Sequence, residues 1–452
     1  MIPQVLCAVA ALSPMGQAVQ EPAFWKFAPT PPMGWCSWDC FATTVTEAQT
    51  KANADVMADK LKQYGWEYVL VDIQWYEPNP TGFQYRDNAP LTMDEYGRLL
   101  PAPNRFPSSE GGKGFKPLAD YVHGKGLKFG IHLLRGIPRQ AVQKNLPILG
   151  TQYHAVDIAL TNSTCSWNGD MYGVDVTKPG GQEYYDSVVN LAASWGVDYI
   201  KVDDISRPYD AVQKGEIEAI RKAIDKSGRP IVFSLSPGAT PLAEADHVEH
   251  HANMWRVSDD FWDTWDLLYD QFKFLDEWTP YRAPGHFPDA DQLALGAIRL
   301  VPGYGGPPHT RFTKDEQFTH VTLWCIARSP LMMAGDMTQM DDFTYALLSN
   351  DEVIAVDQHS SGNRQLFHTQ DGLIAWIADV DHSTDKYLAV FNTTEKTADV
   401  PVNVADLGLG DEVKVRDLWK KQDMGKVKTR FAPLIPSHGA GLYRISASTP
   451  RQ

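Results

Sequence analysis

Between residues 30 and 340 the chain switches repeatedly between two hydrophobic periods, and this alternation restricts the fold more than any other feature. Short apolar runs of strand type are "MGWCSW" (33–38), "YVLVDI" (68–73), "KFGIH" (128–132), "YIKVD" (199–203), "PIVFSLS" (230–236) and "ANMWRVS" (252–258). By position, two further strands are expected at "GHFPDAD" (285–291) and "SPLMMAGD" (329–336). The helices between them have legible ends. Thr46 and Gln49 stand in capping-box spacing before a helix that stops at Gly65, with Val56, Leu61 and Tyr64 as its apolar stripe. Tyr184, Val188, Leu191 and Trp195 recur at helical spacing before Gly196, as do Ile217, Ile220 and Ile224 further on. About eight strand–helix units predict a (β/α)8 TIM barrel over residues 23–360. An open doubly wound sheet fits less well, because no glycine-rich phosphate loop follows the first strand.

Beyond residue 360 the pattern changes. "GLIAWIADV", "KYLAVFNTT", "ADVPVNVADLG", "EVKVRDLW" and "AGLYRIS" are strand-like runs parted by turn residues, which predicts a C-terminal antiparallel β-sandwich domain over 361–452. A chain of 452 residues is long enough for a barrel and such a module. The formal charge of −15, without any Lys/Arg-rich run, argues against nucleic acid or an anionic membrane as partner. The 14 tryptophans suit a cleft for flat, partly apolar ligands such as sugar rings. The N-terminal run Ile2 to Leu12, followed by small residues, resembles a signal peptide over residues 1–22, although no Lys or Arg precedes it. Export to the periplasm or the medium is the expectation. Cys36, Cys40, Cys165 and Cys325 are too scattered for a disulfide framework, and no CxxC or Cys/His cluster suggests zinc, so they read as small buried hydrophobes.

Chemistry in a barrel of this kind collects at the C-terminal ends of the strands, which here are rich in acids: Asp39, Asp72, Asp203, Asp260, Asp291 and Asp336. Side chains alternate faces with period two, so Lys201 and Asp203 share one face and Asp204 takes the other. The same parity groups Arg256, Ser258 and Asp260 and sets Asp259 aside. Lys201 favours an ionised Asp203, as a nucleophile requires, whereas Asp260 among other acids is placed to hold a proton. Two carboxyl groups in these states are the equipment of glycoside hydrolysis. Structural ion pairs at strand ends would give the same parity.

The ordered motifs "PPMGWCSWDCF", "GWEYVLVDIQW", "GLKFGIH", "GVDYIKVDD", "MWRVSDDFWDTW", "PGHFPDADQLALG" and "SPLMMAGDM" resemble glycoside hydrolase family 27, the α-galactosidase and α-N-acetylgalactosaminidase family, from about residue 30 to the C-terminus. The resemblance implies a retaining exo-hydrolase that removes terminal α-linked galactose, with Asp203 as nucleophile and Asp260 as acid/base. It implies no metal and no organic cofactor. It further implies substrate-binding roles for Trp38, Asp72, Lys201, Arg256 and Asp291, and His132 and Ser236 join them as substrate-binding candidates at their strand ends. His132 stands where the family often has tyrosine, and Ile73 where it usually has the second of two hydroxyl-reading aspartates. Small residues at Ser236, Gly238 and Ala239 leave room for a 2-acetamido group, which makes an α-N-acetylgalactosaminidase the alternative. The family also holds β-L-arabinopyranosidases and isomaltose-releasing dextranases. A sugar-binding protein without catalysis is the reading from a different class, although both carboxylates stand in place.

Overall fold

The computed structural model describes residues 21–448, so all but the last two positions of the expected leader lie outside the described residues. Eight short parallel strands form one sheet: β1 (Met33–Cys36), β2 (Tyr68–Val71), β3 (Lys128–Leu134), β4 (Tyr199–Asp203), β5 (Val232–Leu235), β6 (Met254–Arg256), β7 (Phe287–Asp289) and β8 (Leu331–Met333). Their spatial order is β7-β6-β5-β4-β3-β2-β1-β8, and a parallel bridge from Leu293 to Met333 closes the ring between β7 and β8. Each expected strand is present at its expected place.

The strands read as nearly continuous apolar runs because both of their faces are covered. Outward-facing Trp35, Val69, Val71, Phe129, Ile131, Ile200, Val202, Phe233 and Leu235 pack under the helices. Inward-facing Cys36, Tyr68, Leu70, Tyr199, Val232, Met254, Phe287 and Met332 fill the barrel floor. Gly34 lies on that inner face for lack of space: a Cβ there would come within 2.4 Å of the Tyr68 carbonyl oxygen.

The outer layer consists of α1 (Glu47–Val56), α2 (Lys116–Gly124), α3 (Gly181–Trp195), α4 (Ala211–Ser227), α5 (Ala245–Glu249), α6 (Trp265–Trp278), α7 (Lys314–Ala327) and α8 (Asp351–Gln358). The Thr46/Gln49 capping box forms as expected, and Gly65, Gly196 and Gly228 adopt left-handed conformations where their helices end. Ile217, Ile220 and Ile224 on α4 are fully buried, each contributing about 1.5–3 kcal/mol of transfer free energy. On α1 the buried stripe is Asn53, Ala54, Met57 and Leu61; Val56 and Tyr64 are only half-buried, because the last turns widen and then tighten over residues 57–64 and rotate the face.

A six-stranded antiparallel sheet follows, built from β9 (Ser360–His368), β10 (Leu373–Val380), β11 (Lys386–Asn392), β12 (Glu412–Asp417), β13 (Gln422–Lys428) and β14 (Ala440–Ala447) in the order β9-β10-β11-β14-β12-β13. The run "ADVPVNVADLG" supplies two-residue bridges and a short 3-10 turn rather than a full strand. A separate apolar cluster around Val390, Val413, Phe431 and Ile445 forms the core of this module. Trp419 donates its indole N–H to Thr322 Oγ1 of α7 at 2.9 Å, tying the module to the barrel. Cys36, Cys40, Cys165 and Cys325 are buried and free, and Cys7 lies outside the described residues. Among the described residues no helix is long and apolar enough to cross a membrane.

Candidate active site

The inner face of the barrel turns from apolar to polar as each strand rises toward its C-terminal end. Above Tyr199 come Lys201 and Asp203; above Tyr68 and Leu70 comes Asp72; above Val232 come Ser234 and Ser236; above Met254 comes Arg256; above Phe287 comes Asp289. Strand register sets Lys201 beside His132 on β3 and beside Ser234 on β5. Polar side chains that lie far apart in sequence are thereby stacked at one end of the barrel.

That end opens into a cleft of about 450 Å³ walled by Trp38, Tyr85, Trp167, Phe261 and Trp262, with Lys201, Asp203, Arg256, Asp260 and Asp291 at its base and side. Such a volume is in the range of small-ligand sites. The ring of Trp38 lies nearly parallel to that of Tyr85, with centroids 6.2 Å apart. Ile73 contributes an apolar patch to the same wall.

Asp203 is buried and held asymmetrically. Its Oδ2 lies 2.8 Å from His132 Nε2, while Oδ1 has no hydrogen-bond partner and lies 3.7 Å from Lys201 Nζ. Burial by itself would raise this carboxyl, but the Lys201 ammonium, the His132 ring and the Ser236 hydroxyl outweigh it and hold Asp203 well below the usual carboxylate range. Lys201 in turn donates to Asp72 Oδ2 at 2.9 Å.

Asp260 stands on the loop after β6. Its side chain is 55 % exposed, yet it is set inside the concave mouth. Desolvation there raises its pKa; Arg256, 3.4 Å away, opposes the rise, and the charges of Asp291 and Asp203 add to it. The two carboxyl groups are thus pushed in opposite directions. Arg256 is shared, with Asp291 Oδ2 at 2.8 Å, and Asp291 also accepts from the Phe261 N–H at 2.9 Å, fixing the start of the loop that carries Trp262. Deeper in the barrel, burial and Asp291 push Asp289 up to about 6.

Of the residues expected from sequence, Trp38, Lys201, Asp203, Arg256, Asp260 and Asp291 reach the cleft surface. Asp72, His132 and Ser236 are brought to the site but not to its wall: all three are buried, and they act on the cleft through Lys201, Asp203 and Arg256. The parity reading past Arg256 needs correction, because β6 ends there. Ser258 turns away to accept from Gln271 of α6, and Asp259 points to the cleft rim, where it pairs with Arg207. Strand alternation ceases to apply once the ladder stops. At the cleft rim the exposed Arg207 side chain packs on Gly238, where a Cβ would meet its guanidinium at 2.7 Å. Asp204 faces away from the cleft, as its parity predicts, and Arg135 pairs with it at 3.0 Å and with Glu216 at 3.2 Å.

Apart from Trp38, the aromatic wall was not legible. Tyr85 and Trp167 come from long insertions after β2 and β3, the second carrying its own antiparallel sheet of Ile137–Pro138, Ala159–Thr164 and Met171–Val174. The tryptophan count was the one signal pointing to such a wall, and it did not identify which residues form it.

A parallel barrel whose C-terminal mouth holds one depressed and one raised carboxyl between aromatic rings defines a glycoside hydrolase. The sequence matches the family model for alpha galactosidase A over residues 30–177 and 172–359, and the alpha galactosidase C-terminal beta sandwich domain over 370–445. The chain therefore belongs to the α-galactosidase family, glycoside hydrolase family 27. It is 31% identical over 431 residues to an α-galactosidase of Cyamopsis tetragonoloba, covering 93% of this chain and 87% of the relative, and 30% identical over 428 residues to α-galactosidase 2 of Arabidopsis thaliana, covering 92% and 89%. A solved family-27 β-L-arabinopyranosidase of Geobacillus stearothermophilus, in complex with arabinose, superposes with a TM-score of 0.93 at 52% identity, covering 95% of this chain and 100% of that one.

Proposed function

We propose that this glycoside hydrolase is a retaining exo-enzyme for terminal sugars of the galacto configuration, taking α-galactosides and, preferentially, β-L-arabinopyranosides. The chemistry rests on the division of labour between the carboxyl groups. The free Oδ1 of Asp203 attacks the anomeric carbon while Asp260 gives its proton to the glycosidic oxygen, so the sugar becomes an ester of Asp203 and the alcohol leaves. Asp260, now a carboxylate, takes a proton from water, and that water attacks the anomeric carbon and releases Asp203. Lys201 and His132 keep the attacking carboxylate ionised.

The observation that carries the sugar preference is Ile73 in the cleft wall. β-L-Arabinopyranose is α-D-galactopyranose without the hydroxymethyl group. An aliphatic wall where relatives carry a hydroxyl-reading acid leaves one sugar hydroxyl without a partner, at a cost of about 1–3 kcal/mol. A sugar lacking that hydroxyl loses nothing. The name of the 52% identical relative points the same way. A 2-acetamido group would have to displace the exposed Arg207 side chain from Gly238, so such substrates rank lower. We also read the apolar run Ile2 to Leu12 as an export leader, on its length and the small residues after it; cell fractionation tests this.

Initial rates on aryl β-L-arabinopyranoside, α-galactoside, 2-acetamido-α-galactoside and α-glucoside, with Asp203→Asn as blank, test the reading. The expected order is arabinopyranoside, then galactoside, with the others negligible. A 2-fluoro sugar should label Asp203, visible as an adduct by mass spectrometry. A dominant 2-acetamido or glucoside rate, or an adduct elsewhere, would overturn it.

A further inference from the structure

On the barrel's outer layer, away from the sugar cleft, three side chains from two helical segments converge. Glu218 projects from α4, His247 from α5, and His251 from the turn two residues beyond the end of α5. One nitrogen of each ring and a carboxylate oxygen of Glu218 all lie within 4.8 Å of one another. The two imidazoles lie with centroids 4.4 Å apart and planes tilted by 31°. We propose that Glu218, His247 and His251 bind a divalent transition-metal cation of the zinc type, clipping α4 to α5.

Three observations carry this. His247 Nε2 is buried without a hydrogen-bond partner, and its nearest carboxylate oxygen, Glu218 Oε1, is 3.5 Å away, too far for a hydrogen bond. That spacing matches the edge of a tetrahedron, about 3.4 Å, drawn by ligands about 2.1 Å from zinc. The second is the outer hydrogen bonding. His251 Nδ1 lies 2.7 Å from the His247 carbonyl oxygen, which can only accept, so Nδ1 carries a hydrogen and Nε2 is the nitrogen a neutral ring offers to a metal. His247 Nδ1 is 2.9 Å from the Tyr209 hydroxyl, which can take that ring's hydrogen and leave its Nε2 bare as well. Ligand rings oriented through their second nitrogen are what a metal site requires. The third is charge: Glu218 supplies a carboxylate whose other oxygen pairs only loosely with the exposed Lys222 at 3.6 Å, and nearby Lys214 is engaged by Glu244 at 2.6 Å. Glu218 is 41 % exposed, which leaves a fourth position open to solvent. Through Tyr209 the site also braces the loop that places Arg207 at the cleft rim.

Untagged, full-length protein stripped with EDTA is dialysed against zinc chloride, and zinc per chain and melting temperature are measured. The same is done for Glu218→Gln and His251→Gln. Asp203→Asn serves as control, because Asp72, His132 and Asp203 form a second trio of possible ligands. The expected result is one zinc per chain and a melting temperature several degrees higher in the wild type and in Asp203→Asn, with both effects lost in the two cluster variants. Unchanged glycosidase activity in zinc-free His251→Gln shows that the fold survives. Absence of zinc from the wild type, or retention of it by both cluster variants, overturns the site, as does its loss in Asp203→Asn alone.

Discussion

His132 Nε2 grips one oxygen of Asp203 at 2.8 Å and leaves the other without a hydrogen-bond partner. A buried carboxylate with a single free oxygen can form one new bond in one direction, and that asymmetry arises because β3 and β4 are in register at His132 and Lys201, one step below the strand end. The histidine is thus a positioning residue whose effect reaches substrate through Asp203.

Replacing it by His132→Gln should lower kcat about 10- to 150-fold, the equivalent of about 1.5–3 kcal/mol for a hydrogen bond to a charged group. Because the ring also helps hold Asp203 down, the acid limb of the kcat/KM profile should move to higher pH. A variant with reduced kcat and an unmoved limb would show that the ring only packs.

The opposed shifts fix the shape of the wild-type profile. Asp203 must be ionised, so activity is lost only as pH falls through its depressed pKa; Asp260 must be protonated, so activity is lost as pH rises through its raised pKa. The plateau should therefore extend beyond the ordinary carboxylate value on both sides. Asp291→Asn removes a charge that raises Asp260 and frees Arg256 to lower it further, so the alkaline limb should move to lower pH. A stationary limb in kcat/KM against pH would assign it to another group.

The barrel was legible because parallel strands covered on both faces are short apolar runs, and three of its helices carried a marked end: the Thr46 cap, Gly196 and Gly228. Lys201, Asp203 and Asp204 were legible because strand alternation holds up to Asp203 and into the next residue. Tyr85, Trp167 and Trp262 were not, since loops carry no period and their neighbours are set by tertiary folding. β13 escaped for a related reason: six of its seven residues are exposed, so no alternation marks it. His132 was found by its place at a strand end, but its task became visible only with its partner.

Arg135 had no evident purpose in sequence, yet it is buried between Asp204 and Glu216, and Glu216 also accepts from Tyr185 Oη at 3.0 Å and Val174 N–H at 2.7 Å. Arg135→Met should destabilise the barrel by about 3–5 kcal/mol, because the Glu216 charge is left buried and uncompensated. Adding Glu216→Gln should recover part of that loss by removing the orphan charge. Urea titrations of the single and double variants measure both; a double variant no more stable than Arg135→Met would show that the loss is one of packing.

Ile73 offers the sharpest test of the sugar preference, since it lines the cleft next to Asp72, which already binds Lys201. Ile73→Asp supplies a hydroxyl acceptor to the wall. With a galactoside it gains a hydrogen bond from the hydroxymethyl group; with an arabinopyranoside the new carboxylate has no sugar partner and must be desolvated alone. The ratio of kcat/KM for galactoside over arabinopyranoside should rise about 10- to 100-fold, corresponding to about 1.4–2.7 kcal/mol. Part of any loss in absolute rate will come from crowding a further negative charge against Asp203. Ile73→Asn separates the two effects: it offers the acceptor without the charge and should shift the ratio in the same direction with a smaller fall in rate. If both variants lose the two substrates in proportion, Ile73 is only a packing residue of the wall, and the preference for a pentopyranose must lie elsewhere in the cleft.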